Sequence, residues 1–176
     1  MSYYYTGVGS RETPDKVCKF MGEIAATLEA QDLILRSGGA PGADLAFEAG
    51  VSSGQFKEIW VPWAGFNGST SKNLPSEQAF VLASTIHPVW SNLKRGARAL
   101  HARNCHQVLG HDLKTPSKFL LCWTENGEVK GGTATAIKLA LNNRIPILNF
   151  GKWKSVASMY DALKDFFILN GETYEI

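Results

Sequence analysis

The amino-acid sequence predicts an α/β fold, a doubly wound parallel sheet of about five strands with helices on both faces. Short apolar runs alternate with segments of helical periodicity along the chain, which is typical of a parallel sheet covered on both sides. Three of these runs end in glycine-rich turns that lead into helices. Apolar residues make up 44% of the chain and charged residues 19%, which indicates a globular protein.

Length and composition limit the classes of function. The 176 residues are enough for one domain, 1–176, and contain no repeat, linker or apolar run of membrane-spanning length. A net charge of +2 is too small to indicate a nucleic-acid partner by itself. The three cysteines lack metal-ligand spacing, so we expect reduced thiols, no metal, no membrane association and a soluble, cytoplasmic protein.

The first half of the chain predicts three strands and two helices. Thr13 is expected to be the N-cap of the first helix, with Pro14 at its first position. Pro41 or Gly42 is expected to open the second helix. The predicted order is a strand at 3–8, a helix from 14 through 28, a strand at 33–35, a helix ending near 50–54, a strand at 57–61 and a long polar loop at 63–74.

The second half predicts two more strands and four helices. They are helices at 75–85 and 93–109, a strand at 118–123, a glycine turn at 127–132 with a helix after it, a strand at 145–150 and a closing amphipathic helix through 156–167. Right-handed crossovers place every strand-to-helix turn at the carboxyl edge of the sheet, where ligands bind. We therefore expect the glycine turns to meet.

The turn after the second strand has the clearest features of a binding site. Its glycines let the backbone approach a ligand, and the N–H groups of the following helix favour an anion. Asp44 lies in the first helical turn, where stabilising the helix is the favoured role and ligand contact the alternative. The same residues are also compatible with a tight strand-to-helix connection that binds no ligand. The candidate ligand-binding residues here are Ser37, Gly38, Gly39, Ala40, Gly42 and Asp44.

The turns after the first and fourth strands complete the predicted site. Arg11 offers a guanidinium for a phosphate, although a surface arginine at a helix start fits equally. In the turn after the fourth strand, paired glycines followed by threonines supply N–H groups and hydroxyls that could bind an anion. A plain turn with a threonine N-cap is the alternative interpretation. The candidates are Gly7, Gly9, Ser10 and Arg11 in one turn, and Trp123, Thr124, Gly131, Gly132, Thr133 and Thr135 in the other.

These three segments resemble the SLOG superfamily, which includes the DNA-processing protein DprA and the "lonely guy" (LOG) phosphoribohydrolases. The resemblance covers Tyr3 to about Phe150 and is carried by Gly7-Val8-Gly9-Ser10-Arg11, by Ser37-Gly38-Gly39-Ala40-Pro41-Gly42-Ala43-Asp44 and by Lys130-Gly131-Gly132-Thr133-Ala134-Thr135. The first two motifs are most similar to the DprA side. The resemblance implies a Rossmann-like fold that holds a nucleotide-derived ligand or single-stranded DNA, in a protein that self-associates into a homo-oligomer.

The chain departs from the LOG pattern at the catalytic position. When the paired glycines of the LOG signature PGGxGTxxE are aligned on Gly131 and Gly132, Lys138 occupies the place of the catalytic glutamate. The resemblance therefore favours a binding protein over an enzyme. Glu48, one helical turn after Asp44, is the remaining carboxylate candidate for catalysis, with a structural or ribose-binding role favoured.

The segment from Lys94 to His111 is basic, with four Lys or Arg, three histidines and no acid before Asp112. It predicts either a clamp for phosphates or a solvated helix face. Arg103 and Asn104 are singled out because their neighbours look packed, so this polar pair is expected to face the site. Among the aromatic residues, Trp63 and Phe66 are equally compatible with a lid that covers a base and with the core.

Three hypotheses follow. The leading one is a protein that binds a nucleotide or nucleotide-derived signalling ligand at the glycine turns, without a further cofactor. The second is an enzyme that cleaves or transfers at the glycosidic bond of nucleoside monophosphates. The third is a DprA-like binder of single-stranded DNA, for which the modest net charge is unfavourable.

Overall fold

A computed structural model describes residues 1–176 and confirms the α/β fold. Five parallel strands form one sheet in the order β3-β2-β1-β4-β5, surrounded by six α-helices. The elements are β1 (Tyr3–Gly9), α1 (Asp15–Glu29), β2 (Leu33–Ser37), α2 (Ala43–Gly50), β3 (Lys57–Ile59), α3 (Glu77–Ile86), α4 (Arg95–Leu109), β4 (Leu120–Trp123), α5 (Ala134–Asn142), β5 (Ile147–Asn149) and α6 (Val156–Leu169).

The order of the strands places a crevice at the carboxyl ends of β1 and β4. Strand β1 is central: Tyr5 lies opposite Leu35 of β2, and Gly7 lies opposite Leu121 of β4. From β1 the chain builds the sheet outward through β2 and β3, and it then crosses back to add β4 and β5 on the other side. Ligands bind at such a reversal in open α/β sheets, because the loops on its two sides diverge there.

Each face of the sheet is covered by three helices over its own apolar core. Helices α1, α2 and α6 pack on one face, in a cluster of 24 buried residues that includes Tyr5, Leu35 and Phe119. Helices α3, α4 and α5 cover the other face, in a cluster of 14 buried residues that includes Val8 and Cys122. Alternate residues of β1 and β4 supply the two cores, as the pleat of a strand requires.

Several predicted boundaries differ from the structure. Helix α2 begins at Ala43 with Gly42 as its N-cap, and β5 is confined to Ile147–Asn149. Pro14, not Thr13, is the N-cap of α1, and the Thr13 hydroxyl donates 2.6 Å to the carbonyl of Ser10 instead. Strand β3 ends at Ile59, before the predicted end at Val61. Trp60 still donates its N–H to the carbonyl of Ser37 in β2, at 2.9 Å, but Val61 donates to the carbonyl of Asn73 in the long loop, so the chain leaves the sheet there.

The mid-chain aromatic residues have different environments. Trp60 is buried and stacks on the imidazole of His106, with 4.1 Å between ring centroids, so it joins the end of β3 to α4. Phe66 is buried in the core, whereas Trp63 is 45% exposed and packs edge-on against Phe66. None of the helices combines the length and apolar character needed to cross a membrane.

Candidate functional site

A cavity of about 600 Å³ lies in the crevice between β1 and β4. Four stretches of chain line it: the turn after β1, the turn after β2, one face of α4, and the turn that joins β4 to α5. The lining residues are Val8, Gly9, Ser10, Arg11, Glu12, Ala40, Asp44, Leu100, Arg103, Asn104, Gln107, Trp123, Thr124, Glu125, Lys130, Gly131, Gly132, Thr133 and Ala136.

The structure brings the three predicted turns together in this one cavity. The sequence-predicted residues that line it are Gly9, Ser10, Arg11, Ala40, Asp44, Arg103, Asn104, Trp123, Thr124, Gly131, Gly132 and Thr133. The other candidates lie outside the lining: Gly7, Ser37, Gly38, Gly39, Gly42, Trp63, Thr135 and Glu48.

The candidates outside the lining are mostly held by contacts within the protein. Ser37 is buried and donates 2.6 Å to the carbonyl of Gly7, and a Cβ at Gly7 would lie 2.7 Å from the Phe47 ring. The Thr135 hydroxyl lies 2.8 Å from Nδ1 of His101. Glu48 is half-buried on α2, beyond Asp44 and away from the cavity.

Close packing of backbone joins the first two turns. Gly42 has φ +82°, and a Cβ there would lie 2.8 Å from Cα of Arg11. A Cβ at Gly9 would lie 2.8 Å from the carbonyl oxygen of Trp123. Ser10 reinforces both contacts, because its N–H donates 3.0 Å to that same carbonyl and its own carbonyl accepts from Ala43 at 3.3 Å. Glycines are therefore needed at Gly9 and Gly42 to bring the turns into contact.

The third turn leads into α5 through a short 3-10 segment, Gly131–Thr133. Ala134 ends this segment and donates its N–H to the carbonyl of Gly131. The N–H groups of Gly131 and Gly132 precede the hydrogen bonds of the helical segment, and both residues lie on the cavity wall. Partial positive charge from the helix dipole is concentrated at these groups.

Asn149, at the end of β5, fixes the start of the third turn. Its Oδ1 accepts 3.1 Å from the N–H of Thr124, and its Nδ2 donates 2.6 Å to the Thr124 hydroxyl. That hydroxyl donates in turn to the carbonyl of Glu128 at 2.6 Å. Thr124 therefore lines the cavity with its side chain already used for structure.

Helix α4 forms one wall with a stripe of four side chains: Leu100, Arg103, Asn104 and Gln107. Spacings of three and four residues put them on one face of the helix. Asn104 links this wall to the third turn, because its Nδ2 donates 2.6 Å to the carbonyl of Gly132. Its Oδ1 accepts 3.0 Å from Nε of Arg103.

Arg103 is buried, and its guanidinium is largely used within the protein. Nη1 donates to the carbonyls of Gly38 and, at 3.4 Å, Trp60. Nη2 lies 4.0 Å from Oδ2 of Asp44. Burial lowers the pKa of Arg103, an effect that Asp44 opposes and Arg11 reinforces.

Asp44 is 3% exposed on the cavity wall, and burial raises the pKa of its carboxyl from 3.8 to about 6. The charge of Arg103 and the N–H groups of Ala40 and Gly9 act in the opposite direction. Ala40 lies 3.4 Å from Oδ2, and the arginine is as far as 4.0 Å, so desolvation outweighs the attraction. The result is a buried carboxyl that titrates near neutral pH.

Gln107 is the lining residue of most interest that the sequence analysis missed. It is fully buried, and neither Nε2 nor Oε1 of its carboxamide has a hydrogen-bond partner within the protein. Its position four residues after Arg103 was the available signal, because one helix face carries Arg103 and Gln107 together. The spacing could not predict that its carboxamide would be buried without a hydrogen-bond partner, because that depends on packing against other elements.

Only one of the three cations on the cavity wall has no partner in the protein. Lys130 pairs with Glu125 at 2.7 Å and with Glu128 at 3.4 Å, and Arg103 faces Asp44. The side chain of Arg11 is exposed at the mouth and takes part in no ion pair. The free positive charge of the cavity therefore lies at its mouth.

Comparison with models of protein families, with curated proteins and with solved structures gives no match for this chain. The resemblance of the glycine motifs to the SLOG superfamily stays a prediction from the sequence.

Proposed function

We propose that the cavity binds a nucleotide or a nucleotide-derived ligand. The observation that carries the proposal is the meeting of three glycine-bearing turns around one cavity at the carboxyl edge of the sheet. Its volume of about 600 Å³ lies within the range of small-molecule sites, roughly 300–1,000 Å³. A parallel sheet uses this edge for ligands because helix N-termini and flexible turns converge there.

The phosphate is expected at the mouth, between the start of α5 and Arg11. The N–H groups of Gly131 and Gly132 precede the hydrogen bonds of the helical segment, and an anion satisfies such groups. Arg11 supplies a guanidinium that makes no ion pair and can bind two phosphate oxygens in parallel. The ligand is thus expected to be bound by backbone amides and one arginine.

A substitution at Gly132 tests this placement. A Cβ at Gly132 meets no atom within 4 Å, so a side chain fits there without disturbing the protein. Gly132→Asp adds a carboxylate where the phosphate is expected, and Gly132→Asn adds the same shape without the charge. Calorimetry with a panel of mono-, di- and cyclic nucleotides should detect binding to the wild type and a loss of about tenfold or more for Gly132→Asp relative to Gly132→Asn.

Two results would count against the proposal. One is the absence of heat with every nucleotide in the panel. The other is equal binding by the aspartate and asparagine variants, which would move the phosphate elsewhere. A single-stranded oligodeoxynucleotide belongs in the same panel, since binding to DNA should weaken with salt at a slope of about −0.7 per phosphate contacted.

The protonation of Asp44 favours a second candidate function, cleavage or transfer at a nucleoside glycosidic bond. A buried carboxyl with a pKa of about 6 in the cavity can exchange a proton near neutral pH. Asp44 lines the cavity, whereas Glu48 does not. If the protein is an enzyme, Asp44 is therefore the stronger candidate for general acid–base catalysis.

Chromatography of a long incubation with nucleoside monophosphates tests this second function. Enzymatic activity predicts release of the free base by the wild type and its loss in Asp44→Asn, with Glu48→Gln retaining activity. Intact nucleotide after incubation with the wild type would reject catalysis and leave binding as the function.

A further inference from the structure

A groove of about 540 Å³ runs along β5 and shares no lining residue with the cavity described above. Five aliphatic residues line it: Val129, Ile137, Leu141, Ile145 and Ile147. Val129 is 47% exposed and Leu141 is 59% exposed, so part of this apolar surface is in contact with water. Exposed apolar side chains that gather in one groove are typical of a surface that binds a partner.

The groove lies at a free edge of the sheet. Strand β5 is the last in the strand order, and β4 is its only neighbour. Leu120 of β4 donates its N–H 2.9 Å to the carbonyl of Pro146, so the N–H and carbonyl of the next residue, Ile147, point away from β4. Asn149, two residues further on, has the same backbone orientation. Ile147 and Asn149 both line the groove, which is therefore bordered by the unpaired backbone groups of the edge.

The charged residues that line the groove are both cations. Arg144 lies three residues before β5, Lys152 lies three residues after it, and both are exposed. Neither forms an ion pair, and no acidic residue lines the groove. The stem of Lys152 packs on Gly127, where an added Cβ would collide with its Cγ. The groove thus has an unpaired cation beyond each end of β5.

The backbone at Arg144 is unfavourable for an arginine. Arg144 has φ +56° and directly follows Asn143, the C-cap of α5. Glycine is the usual residue at this position of a helix end, because a Cβ is unfavourable in left-handed backbone. The guanidinium forms no ion pair within the chain that would offset this strain. An acidic group outside the chain would give the cation at this position a role.

A second copy of this chain is a poor fit to these charges. Two β5 strands that paired edge to edge about a two-fold axis would run antiparallel, with the axis at Leu148 so that their outward-facing residues meet. Arg144 of one protomer would then lie opposite the partner's Lys152. Like charges placed opposite each other destabilise a pair of strands, whereas an acidic partner neutralises both cations.

We propose that this groove binds an extended, acidic segment of a partner protein, which adds to β5 as a further strand of the sheet. Its backbone pairs with Ile147 and Asn149, and its central apolar side chains pack against Val129 and Leu141. Carboxylates on both sides of that apolar centre pair with the two cations. Backbone pairing of this kind supplies affinity, and the side chains supply specificity.

Three fluorescein-labelled peptides of seven residues test the proposal by fluorescence anisotropy. The acidic peptide is Asp-Glu-Val-Ile-Val-Glu-Asp with blocked ends. The basic peptide replaces its four acids by lysine, and the methylated peptide carries N-methyl groups on the three central amides of the acidic one. The protein variants are Arg144→Glu and Lys152→Glu. Lys72→Glu is the matched control, because Lys72 is exposed, forms no ion pair and lies in the loop after β3, at the opposite edge of the sheet.

The acidic peptide should bind the wild type and Lys72→Glu with equal affinity. Arg144→Glu and Lys152→Glu should each weaken its binding by about tenfold, because the reversed charge repels the peptide. The methylated peptide should bind at least about tenfold more weakly than the acidic one, since it cannot donate hydrogen bonds to the edge of β5.

Four results would overturn the proposal. Two are the absence of binding by the acidic peptide and equal binding by the basic peptide. Equal binding by the methylated peptide would exclude the addition of a strand. The fourth comes from sedimentation of the wild type and Leu141→Asp without peptide: a dimer formed by the wild type alone would assign the groove to a second copy of the chain. None of these outcomes bears on nucleotide binding, since the groove and the cavity have no residue in common.

Discussion

The carboxyl group of Asp44 is 3% exposed, and its nearest cation, Nη2 of Arg103, is 4.0 Å from Oδ2. A carboxylate so placed has lost most of its hydration and gained only part of an ion pair. Burial is consequently the largest influence on its pKa, which rises from 3.8 to about 6. This one residue is therefore expected to make the stability of the folded protein dependent on pH.

The first prediction concerns the pH dependence of unfolding. The folded protein binds the Asp44 proton more tightly than the unfolded chain does, because the pKa is higher in the folded state. The stabilising effect of that proton is complete below about pH 4 and disappears as the pH rises through about 6. Between about pH 4 and pH 7, the free energy of unfolding should fall by roughly 2 kcal/mol relative to Asp44→Asn.

Urea unfolding of the two proteins over this pH range gives the comparison. The charge of Arg103 does not titrate over this range, so an unpaired Arg103 in Asp44→Asn adds a constant offset and leaves the slope unaffected. Parallel pH profiles for the wild type and the variant would contradict the prediction. They would mean that the pKa of the Asp44 carboxyl is the same in the folded protein and in the unfolded chain.

Among the secondary-structure elements, the short edge strand β5 affects the cavity although it does not line it. Its last residue, Asn149, accepts from the N–H groups of Thr124 and Gly151 at 3.1 and 3.0 Å and donates to the Thr124 hydroxyl at 2.6 Å. One buried amide thus fixes the path of the chain from β4 into the third turn. The position of the α5 amides depends on that path.

The second prediction is that Asn149→Ala destabilises the protein and weakens ligand binding together. Three hydrogen bonds are lost at a buried position, which should lower the free energy of unfolding by about 2–3 kcal/mol. Asn142→Ala is the control, because Asn142 is exposed at the end of α5 and should change stability by less than about 0.5 kcal/mol.

Denaturant unfolding measures the stabilities, and calorimetry with adenosine monophosphate measures the binding. Destabilisation by Asn149→Ala with unchanged affinity would mean that the third turn keeps its shape without Asn149. Equal stability of the Asn149 and Asn142 variants would contradict the structural role itself.

For the molecule as a whole, the distribution of thiols gives a measure of complete folding. Cys105 and Cys122 belong to the core on the α3–α4–α5 face, and burial raises the pKa of each to about 12. Cys18, on α1, is half-buried, and burial and the charge of Asp15 raise its pKa as well.

The third prediction is that a disulfide reagent reacts with one thiol of the folded protein and with all three after unfolding. Reaction needs an accessible thiolate, which the two core cysteines lack. The absorbance of the released thiolate counts the reacting groups in native buffer and in urea. In native buffer, Cys18→Ser should show no fast reaction, and any fast-reacting thiol in that variant would contradict the burial of the core cysteines.

The fold was predictable from the sequence because its signals are local. The apolar run Phe119-Leu120-Leu121-Cys122 and the glycine turn after it identify a strand and its connection without knowledge of the rest. The predicted N-cap at Thr13 and the predicted strand end at Val61 were wrong. The Thr13 hydroxyl donates to the carbonyl of Ser10, and the N–H of Val61 donates to the carbonyl of Asn73.

The candidate site was predictable only in part. Turns at one sheet edge follow from topology, so the sequence-predicted residues Gly9, Arg11 and Gly132 do line the cavity. Whether Gln107 finds a partner, or Trp63 turns outward, depends on packing between distant elements. Residue spacing in the sequence does not predict this tertiary packing.

The walls of the cavity come from 8–12, 40–44, 100–107 and 123–136, so the cavity forms only when both halves of the sheet are assembled around the central strand. No hairpin or half-sheet holds these pieces at once. A ligand that fits this cavity therefore binds only the folded state. By thermodynamic linkage it raises the free energy of unfolding, and this effect grows with the logarithm of the ligand concentration. The occupied protein should thus resist proteases as a unit, in both halves of the sheet together.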